Sequence, residues 1–133
     1  MSCKLISNQK IFVFEEQKSK LSLINKDEVE STQIKVDNCL IKDNSLKCDY
    51  MHLAKDIEFY IELKGQDINH AVKQLKSTFK QLSSNSKKSK KISYIICART
   101  PLSATQILKL KREFKKDYNS KLEVKSSPFK SIY

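Results

Sequence analysis

Residues 57–64 read Ile57-Glu58-Phe59-Tyr60-Ile61-Glu62-Leu63-Lys64, with apolar side chains at the odd positions and polar or amphipathic ones at the even positions. A period of two over eight residues predicts a β-strand with one buried face. The run Lys47-Cys48-Asp49-Tyr50-Met51 lies just before it, and the short spacing between the two runs suits a hairpin. Antiparallel pairing would bring Asp49 to the same side as Glu62 and Lys64.

Two carboxylates and a lysine on one polar patch suit phosphodiester hydrolysis. Carboxylates a few ångströms apart favour a hard divalent cation such as Mg²⁺, which polarises a phosphodiester and acidifies a bound water. A neighbouring ammonium orients that water or neutralises charge in the transition state. The alternative is an exposed hairpin face that carries ordinary surface charges.

An amphipathic helix follows this strand. The chain's single glycine, Gly65, marks the break, and Asp67 is a suitable N-cap. The apolar residues then recur with helical spacing over four turns; they are Ile68, Ala71, Val72, Leu75, Phe79 and Leu82.

Three segments of this region resemble the PD-(D/E)xK nuclease superfamily, over roughly residues 36–98. They are Cys48-Asp49-Tyr50, Tyr60-Ile61-Glu62-Leu63-Lys64-Gly65 and His70-Ala71-Val72-Lys73-Gln74-Leu75. The resemblance implies a restriction-endonuclease-like or Holliday-junction-resolvase-like α/β fold, with a central mixed β-sheet flanked by helices. It also implies bound Mg²⁺, for which Mn²⁺ can substitute, with Asp49, Glu62 and the backbone carbonyl of Leu63 as ligands.

The same resemblance makes Lys64 the catalytic lysine and places Gln74 near the metal or the DNA backbone. The chain departs from the pattern at Thr78, where some branches have a tyrosine. No N-terminal helix that supplies an extra acidic residue is evident, and Glu28 or Glu30 is the candidate substitute. Asp37, in a strand predicted over residues 34–41, is a further candidate ligand; the alternative is an aspartate on the strand surface.

The length of 133 residues predicts one nuclease-like domain spanning residues 1–133. No run of eighteen apolar residues and no signal peptide are found, so we expect no membrane association and a cytoplasmic location. The four cysteines are scattered without a C-x-x-C pair, which predicts reduced thiols rather than zinc ligands or disulfides. They are Cys3, Cys39, Cys48 and Cys97.

A net charge of +11 indicates a polyanionic partner, and the nuclease resemblance implies DNA rather than RNA. The basic loop 83–91 is the predicted contact with a nucleic-acid backbone, through Lys87, Lys88, Lys90 and Lys91. A solvated connector is the alternative for this loop. Of the 26 basic residues, 24 are lysines, which favours phosphate contacts over base readout, although AT-rich coding also produces such a composition.

Further elements complete the predicted fold. Extra N-terminal strands are expected at 10–14 and 20–25 after a loose terminus at 1–8, and a strand buried on both faces is expected at 92–98. Ser103 and Gln106 form a capping box that starts a second helix, Asn119 suits its end, and 121–125 is an edge strand.

The function these features predict is a Mg²⁺-dependent DNA endonuclease, and a homodimer or a partner would serve double-strand cutting. A non-catalytic nucleic-acid-binding protein with the nuclease fold is the alternative from another class. A nuclease toxin domain and a basic protein-interaction subunit are further alternatives.

Overall fold

The computed structural model describes residues 2–63, 67–98 and 103–133. In this part of the chain the elements are β1 (Lys4–Ser7), β2 (Ile11–Glu16), β3 (Ser19–Ile24), β4 (Ser31–Lys35), β5 (Tyr50–Ala54), β6 (Ile57–Leu63), α1 (Ile68–Leu82), β7 (Lys91–Cys97), α2 (Ala104–Tyr118), β8 (Ser120–Ser126) and β9 (Phe129–Ile132). Neither helix is long and apolar enough to cross a membrane, as judged on the described residues.

The main sheet has six strands in the order β1-β4-β5-β6-β7-β8. The pairs β1–β4, β4–β5 and β5–β6 are antiparallel, whereas the pairs β6–β7 and β7–β8 are parallel. Each parallel step is made through a helix, α1 and then α2, because parallel neighbours need a long crossover. The predicted α/β fold with a mixed sheet is therefore confirmed.

Two cores lie on the two faces of this sheet. The helices cover one face, where Tyr60 and Ile95 pack against Phe79 and Phe114. A second sheet, in the order β2-β3-β9, covers the other face and buries Phe59 and other residues of β6 and β7.

Strand β6 is therefore buried on both faces, and the prediction of a single buried face was wrong. The period-two pattern arises because aromatic and aliphatic residues face the small sheet while Glu58, Tyr60 and Glu62 face the helices. The predicted β2–β3 hairpin exists, and it is the element that covers the second face.

Both helix starts follow local capping signals. The Asp67 carboxylate accepts the backbone N–H of His70 (3.1 Å) at the start of α1. The predicted capping box of Ser103 and Gln106 is present at α2, and Asn119 ends that helix in a left-handed conformation. The two predicted helices, the buried strand and the edge strand are confirmed.

The N-terminal region differs from the prediction in two respects. Residues 4–7 form the edge strand β1 rather than a loose terminus. The strand predicted over 34–41 ends at Lys35, because the chain turns through Asn38 with a positive φ. Cys3 and Cys39 are joined by a disulfide, so the prediction of reduced thiols was wrong for this pair. Pairing of β1 with β4 brings the two distant cysteines together, which spacing in the sequence did not reveal.

His52 is buried between the two sheets. Its ring lies within 5.6 Å of the ring centroids of Phe12, Phe14, Phe59 and Tyr133. Its Nε2 and the Tyr133 hydroxyl are 2.8 Å apart, while Nδ1 has no hydrogen-bond partner among the described residues. Burial lowers the pKa of His52 to about 4, so the ring is neutral at physiological pH.

Folding stability should therefore fall as the pH is lowered from about 6.5 to about 4. In this window the unfolded chain binds the His52 proton more tightly than the folded chain, which destabilises the fold by up to about 3 kcal/mol. Urea unfolding of wild type and His52→Phe at pH 7 and pH 4.5 measures this contribution. Equal losses of stability between pH 7 and pH 4.5 in wild type and His52→Phe would contradict the assignment.

Candidate active site

Asp49 lies immediately before β5, at the carboxyl end of β6. Its backbone N–H donates to the Ile61 carbonyl (3.1 Å), and its carbonyl accepts the Val36 N–H (3.0 Å). Its side-chain Oδ2 accepts the backbone N–H of Leu63 at 2.7 Å, and only 4% of the residue is exposed. The carboxylate is therefore held against the end of β6.

Glu62 lies on β6 in the same region and is 6% exposed. Both carboxylates are within electrostatic reach of the Cys48 thiol. Burial raises the pKa of Cys48 to about 12, and the charges of Glu62 and Asp49 add to that shift. The strand and the segment before it thus bring together two buried carboxylates that are far from each other in sequence.

Helix α1 holds the segment that carries Asp49. The Thr78 hydroxyl accepts the backbone N–H of Cys48 (2.8 Å) and donates to the Gln74 carbonyl (2.8 Å). The Gln74 side-chain amide donates to the Lys47 carbonyl (3.2 Å). In the sequence Thr78 was a departure from the nuclease pattern. In the structure Thr78 is buried and holds the Cys48 peptide, and the half-buried Gln74 holds the neighbouring peptide.

The two carboxylates, of Asp49 and Glu62, fit a cation that needs few protein ligands. Mg²⁺ is commonly held by one or two carboxylates and keeps several waters, and Asp49 with Glu62 provides that donor set. Among the described residues, no cluster of three or more His, Cys, Asp or Glu side chains could hold a metal ion. The Leu63 carbonyl as a third ligand stays a prediction, and Lys64 lies outside the described residues.

The two extra acidic candidates lie at different ends of β4. The Asp37 backbone N–H donates to the Asp49 carbonyl (3.3 Å), so Asp37 is at the candidate site's end of the sheet. Glu30 is exposed and precedes β4. Val36, whose N–H donates to the Asp49 carbonyl, follows Glu30 by six residues. Six residues of extended strand span about 20 Å. The structure does not bring Glu30 to Asp49, because β4 runs antiparallel to β5 and starts at the far edge.

Lys91 does not have the role predicted for the basic loop. It is 1% exposed, and its ammonium donates to the carbonyls of Asn85 (3.0 Å), Ser89 (2.8 Å) and Tyr118 (2.8 Å). Burial lowers its pKa. Lys91 anchors the loop to the end of α2 and is not available to a phosphate, whereas Lys87, Lys88 and Lys90 are exposed.

The basic loop and the carboxylates lie at opposite ends of β6. In the parallel register Glu58 is level with Lys91, and Glu62 is level with Ile95. Four residues of extended strand separate these positions by about 13 Å. The structure therefore does not merge the predicted nucleic-acid contact and the predicted metal site into one cluster.

Glu58 forms a second buried polar cluster, which the sequence did not reveal. Its carboxylate accepts the hydroxyls of Tyr60 (2.9 Å), Ser83 (2.6 Å) and Ser84 (2.8 Å), and also the Ser84 backbone N–H (3.0 Å). Burial raises its pKa, but these hydrogen bonds outweigh burial and the net pKa is lowered. The serine pair directly after α1 was the available signal.

Comparisons of this chain with protein-family models, curated proteins and solved structures give no match.

Replacing Lys91 should destabilise the fold far more than replacing its neighbour Lys90. In Lys91→Met three backbone carbonyls lose a charged donor, and we expect a loss of about 2–4 kcal/mol in the free energy of unfolding. Lys90→Met alters an exposed residue and should stay within about 0.5 kcal/mol of wild type. Urea unfolding monitored by circular dichroism checks both; similar small effects would show that Lys91 does not anchor the loop.

Proposed function

We propose that this chain is a Mg²⁺-dependent nuclease that acts on DNA and has a restriction-endonuclease-like core. The observation that carries the proposal is the 2.7 Å hydrogen bond from the Leu63 N–H to Asp49 Oδ2. It holds one carboxylate at the end of β6, beside the neighbouring residue Glu62, although thirteen positions separate the two acids in sequence.

The order of elements supports the same proposal. The three segments of the nuclease resemblance fall at the start of β5, at the end of β6 and on α1. The candidate residues lie at the carboxyl end of a strand that has an antiparallel neighbour on one side and a parallel one on the other.

In the proposed site Asp49 and Glu62 hold the cation, which when bound activates a water and polarises the phosphodiester. Burial of both carboxylates strengthens their attraction for a cation, since they lie in a medium less polarisable than water. Thr78 and Gln74 fix the peptide of residues 47–48 and thereby the position of Asp49. Lys64 is the residue assigned to the reacting phosphate.

A non-catalytic nucleic-acid-binding protein is the second candidate, and one observation favours it. The exposed lysines of the basic loop lie about 13 Å along the sheet from the carboxylates. Backbone binding through that loop needs no chemistry at Asp49 and Glu62.

Glu62→Gln, Asp49→Asn and Lys64→Ala should each reduce Mg²⁺-dependent cleavage at least 100-fold, because each removes a cation ligand or the ammonium at the phosphate. The measurement is nicking and linearisation of supercoiled plasmid, alongside cutting of linear duplex and single strands, with Mg²⁺ or Mn²⁺. Glu30→Gln is the matched acidic control and should cut like wild type.

Absence of cleavage by wild type on every substrate, with no cation bound at Asp49 and Glu62 by calorimetry, would contradict the nuclease proposal. Duplex binding in that case would identify the second candidate.

The cytoplasmic location belongs to this proposal and makes its own prediction. Cytosolic thiols are kept reduced by glutathione and thioredoxin, whereas the structure joins Cys3 and Cys39 in a disulfide. A chain that acts in the cytoplasm must therefore keep its fold without this bond, so the double variant Cys3→Ser and Cys39→Ser should retain wild-type Mg²⁺-dependent cleavage. Loss of the fold in that variant, measured by urea unfolding, would instead indicate an oxidising compartment.

A further inference from the structure

The net charge of the chain is confined to one segment. Residues 68–118 contain thirteen of the 26 Lys and Arg residues but only two of the 15 acidic ones, Glu113 and Asp117. This segment therefore carries +11, the net charge of the whole chain, and the remaining residues sum to zero. Such a division is not needed for solubility, which an even distribution of charge also provides.

The fold presents this charge on the helical layer. Helices α1 and α2 lie side by side on the same face of the sheet, where the Phe79 ring is 5.9 Å from that of Phe114 and 5.0 Å from that of Tyr118. Apart from the buried Lys91, the described basic residues of the segment are exposed or half-buried. We call them the basic face: Lys73, Lys76, Lys80, Lys87, Lys88, Lys90, Lys109, Lys111, Arg112, Lys115 and Lys116.

Each helix carries a basic stripe. Lys73, Lys76 and Lys80 follow the spacing i, i+3, i+7 on α1, and Lys109, Arg112 and Lys116 repeat it on α2. Residues at this spacing lie along one side of a helix. Each stripe extends about 10 Å along its axis at 1.5 Å per residue, which corresponds to about three base-pair steps at 3.4 Å each.

These charges are not neutralised within the protein. None of the four ion pairs seen in the described residues includes a member of the basic face. Like charges recur at i, i+4 on both helices, at 76 and 80, 111 and 115, and 112 and 116. Such pairs destabilise a helix, so this face costs the isolated protein stability that a bound polyanion would restore.

The α2 stripe ends at a pocket between the basic loop and α2. A cavity of about 550 Å³ is lined by Lys87, Lys88, Lys116, Asp117 and Tyr118. The loop backbone beside it is fixed, because the Asn119 side-chain amide donates to the Lys88 carbonyl (2.9 Å), and Lys91 bonds the carbonyls of the same loop and of Tyr118. The lysines around the pocket therefore project from an ordered frame.

We infer that the basic face binds the phosphate backbone of a nucleic-acid duplex, which follows the helical layer from the basic loop toward the carboxyl end of β6. Helix α1, about 22 Å long, connects these two ends. An anionic membrane fits less well, since membrane-surface helices insert apolar side chains, and Leu108 is the one exposed large apolar residue among the described residues of this segment. The inference extends the proposed function to a second surface.

The test compares two variants that each remove four positive charges. One carries Lys73→Gln, Lys80→Gln, Arg112→Gln and Lys116→Gln on the basic face. The control carries Lys4→Gln, Lys10→Gln, Lys20→Gln and Lys26→Gln, all exposed residues outside it. Fluorescence anisotropy with a 20-base-pair duplex is recorded in EDTA over a range of salt concentrations, so that cleavage and metal binding do not contribute.

The basic-face variant should bind at least tenfold more weakly at 0.1 M salt. The slope of its log K against log[salt] should be shallower by about 3.6, since each of the four lost phosphate contacts contributes about 0.9. The control should stay within twofold of wild type. Equal losses in both variants would show that net charge alone drives binding and would overturn the inference. Wild-type binding by the basic-face variant, or tighter binding of anionic vesicles than of duplex, would overturn it as well.

Circular dichroism and urea unfolding verify the fold of each variant. If the basic-face variant is unfolded, the pair Arg112→Gln and Lys116→Gln, set against Lys10→Gln and Lys20→Gln, makes the same comparison. Duplex binding is measured in EDTA and cleavage in Mg²⁺. The two proposals therefore fail separately: an inactive protein that still shows the basic-face effect refutes only the nuclease, and an active one without that effect refutes only this surface.

Discussion

Burial of β6 on both faces is the constraint on which the rest of this structure depends. A strand placed between two cores cannot leave polar groups to the solvent, so each must find a partner within the protein. Glu58 does so through Tyr60 and two serines after α1. At the other end the Leu63 N–H bonds the Asp49 carboxylate. The polar clusters at both ends of β6 follow from this requirement.

The same strand also separates two kinds of electrostatic environment. At its carboxyl end two buried carboxylates lie close to the Cys48 thiol. At its amino end the buried Lys91 ammonium donates to backbone carbonyls, and the other lysines of the basic loop are exposed to solvent. Helix α1 connects the two environments: Thr78 near its middle bonds the Cys48 N–H, and Ser83 just beyond its end bonds Glu58.

Local signals in the sequence predicted the helices and strands well, whereas contacts between distant parts of the chain could not be predicted from it. The caps at Asp67 and Ser103 could be predicted because each accepts a backbone N–H three residues away. The mixed sheet followed from strand order and loop length. Burial of Glu62 was not predicted, because Glu62 faces the helical side of β6 and its cover depends on how the helices dock on the sheet. The Cys3–Cys39 pairing likewise depends on the contact between β1 and β4.

For the candidate site, the hairpin register that relates Asp49 to Glu62 was within reach of the sequence, because it depends on two neighbouring strands. The Thr78 bond to Cys48 was not, since it requires the docking of α1. Lys91 shows the limit most clearly. Nothing in its sequence context separates it from Lys90, and only its position as the first residue of β7, beneath the end of α2, turns it inward.

The small sheet joins parts of the chain that are far apart. Leu21 of β3 pairs in parallel with Phe129 of β9, so this sheet is complete only after almost the whole chain has folded. Closing a loop of that length is entropically costly, and non-local strand pairing slows folding. Until then β2 and β3 form a two-stranded ribbon, which has little stability of its own. The aromatic faces of the second core stay open during that interval, and the partly folded chain is therefore the form most prone to aggregate.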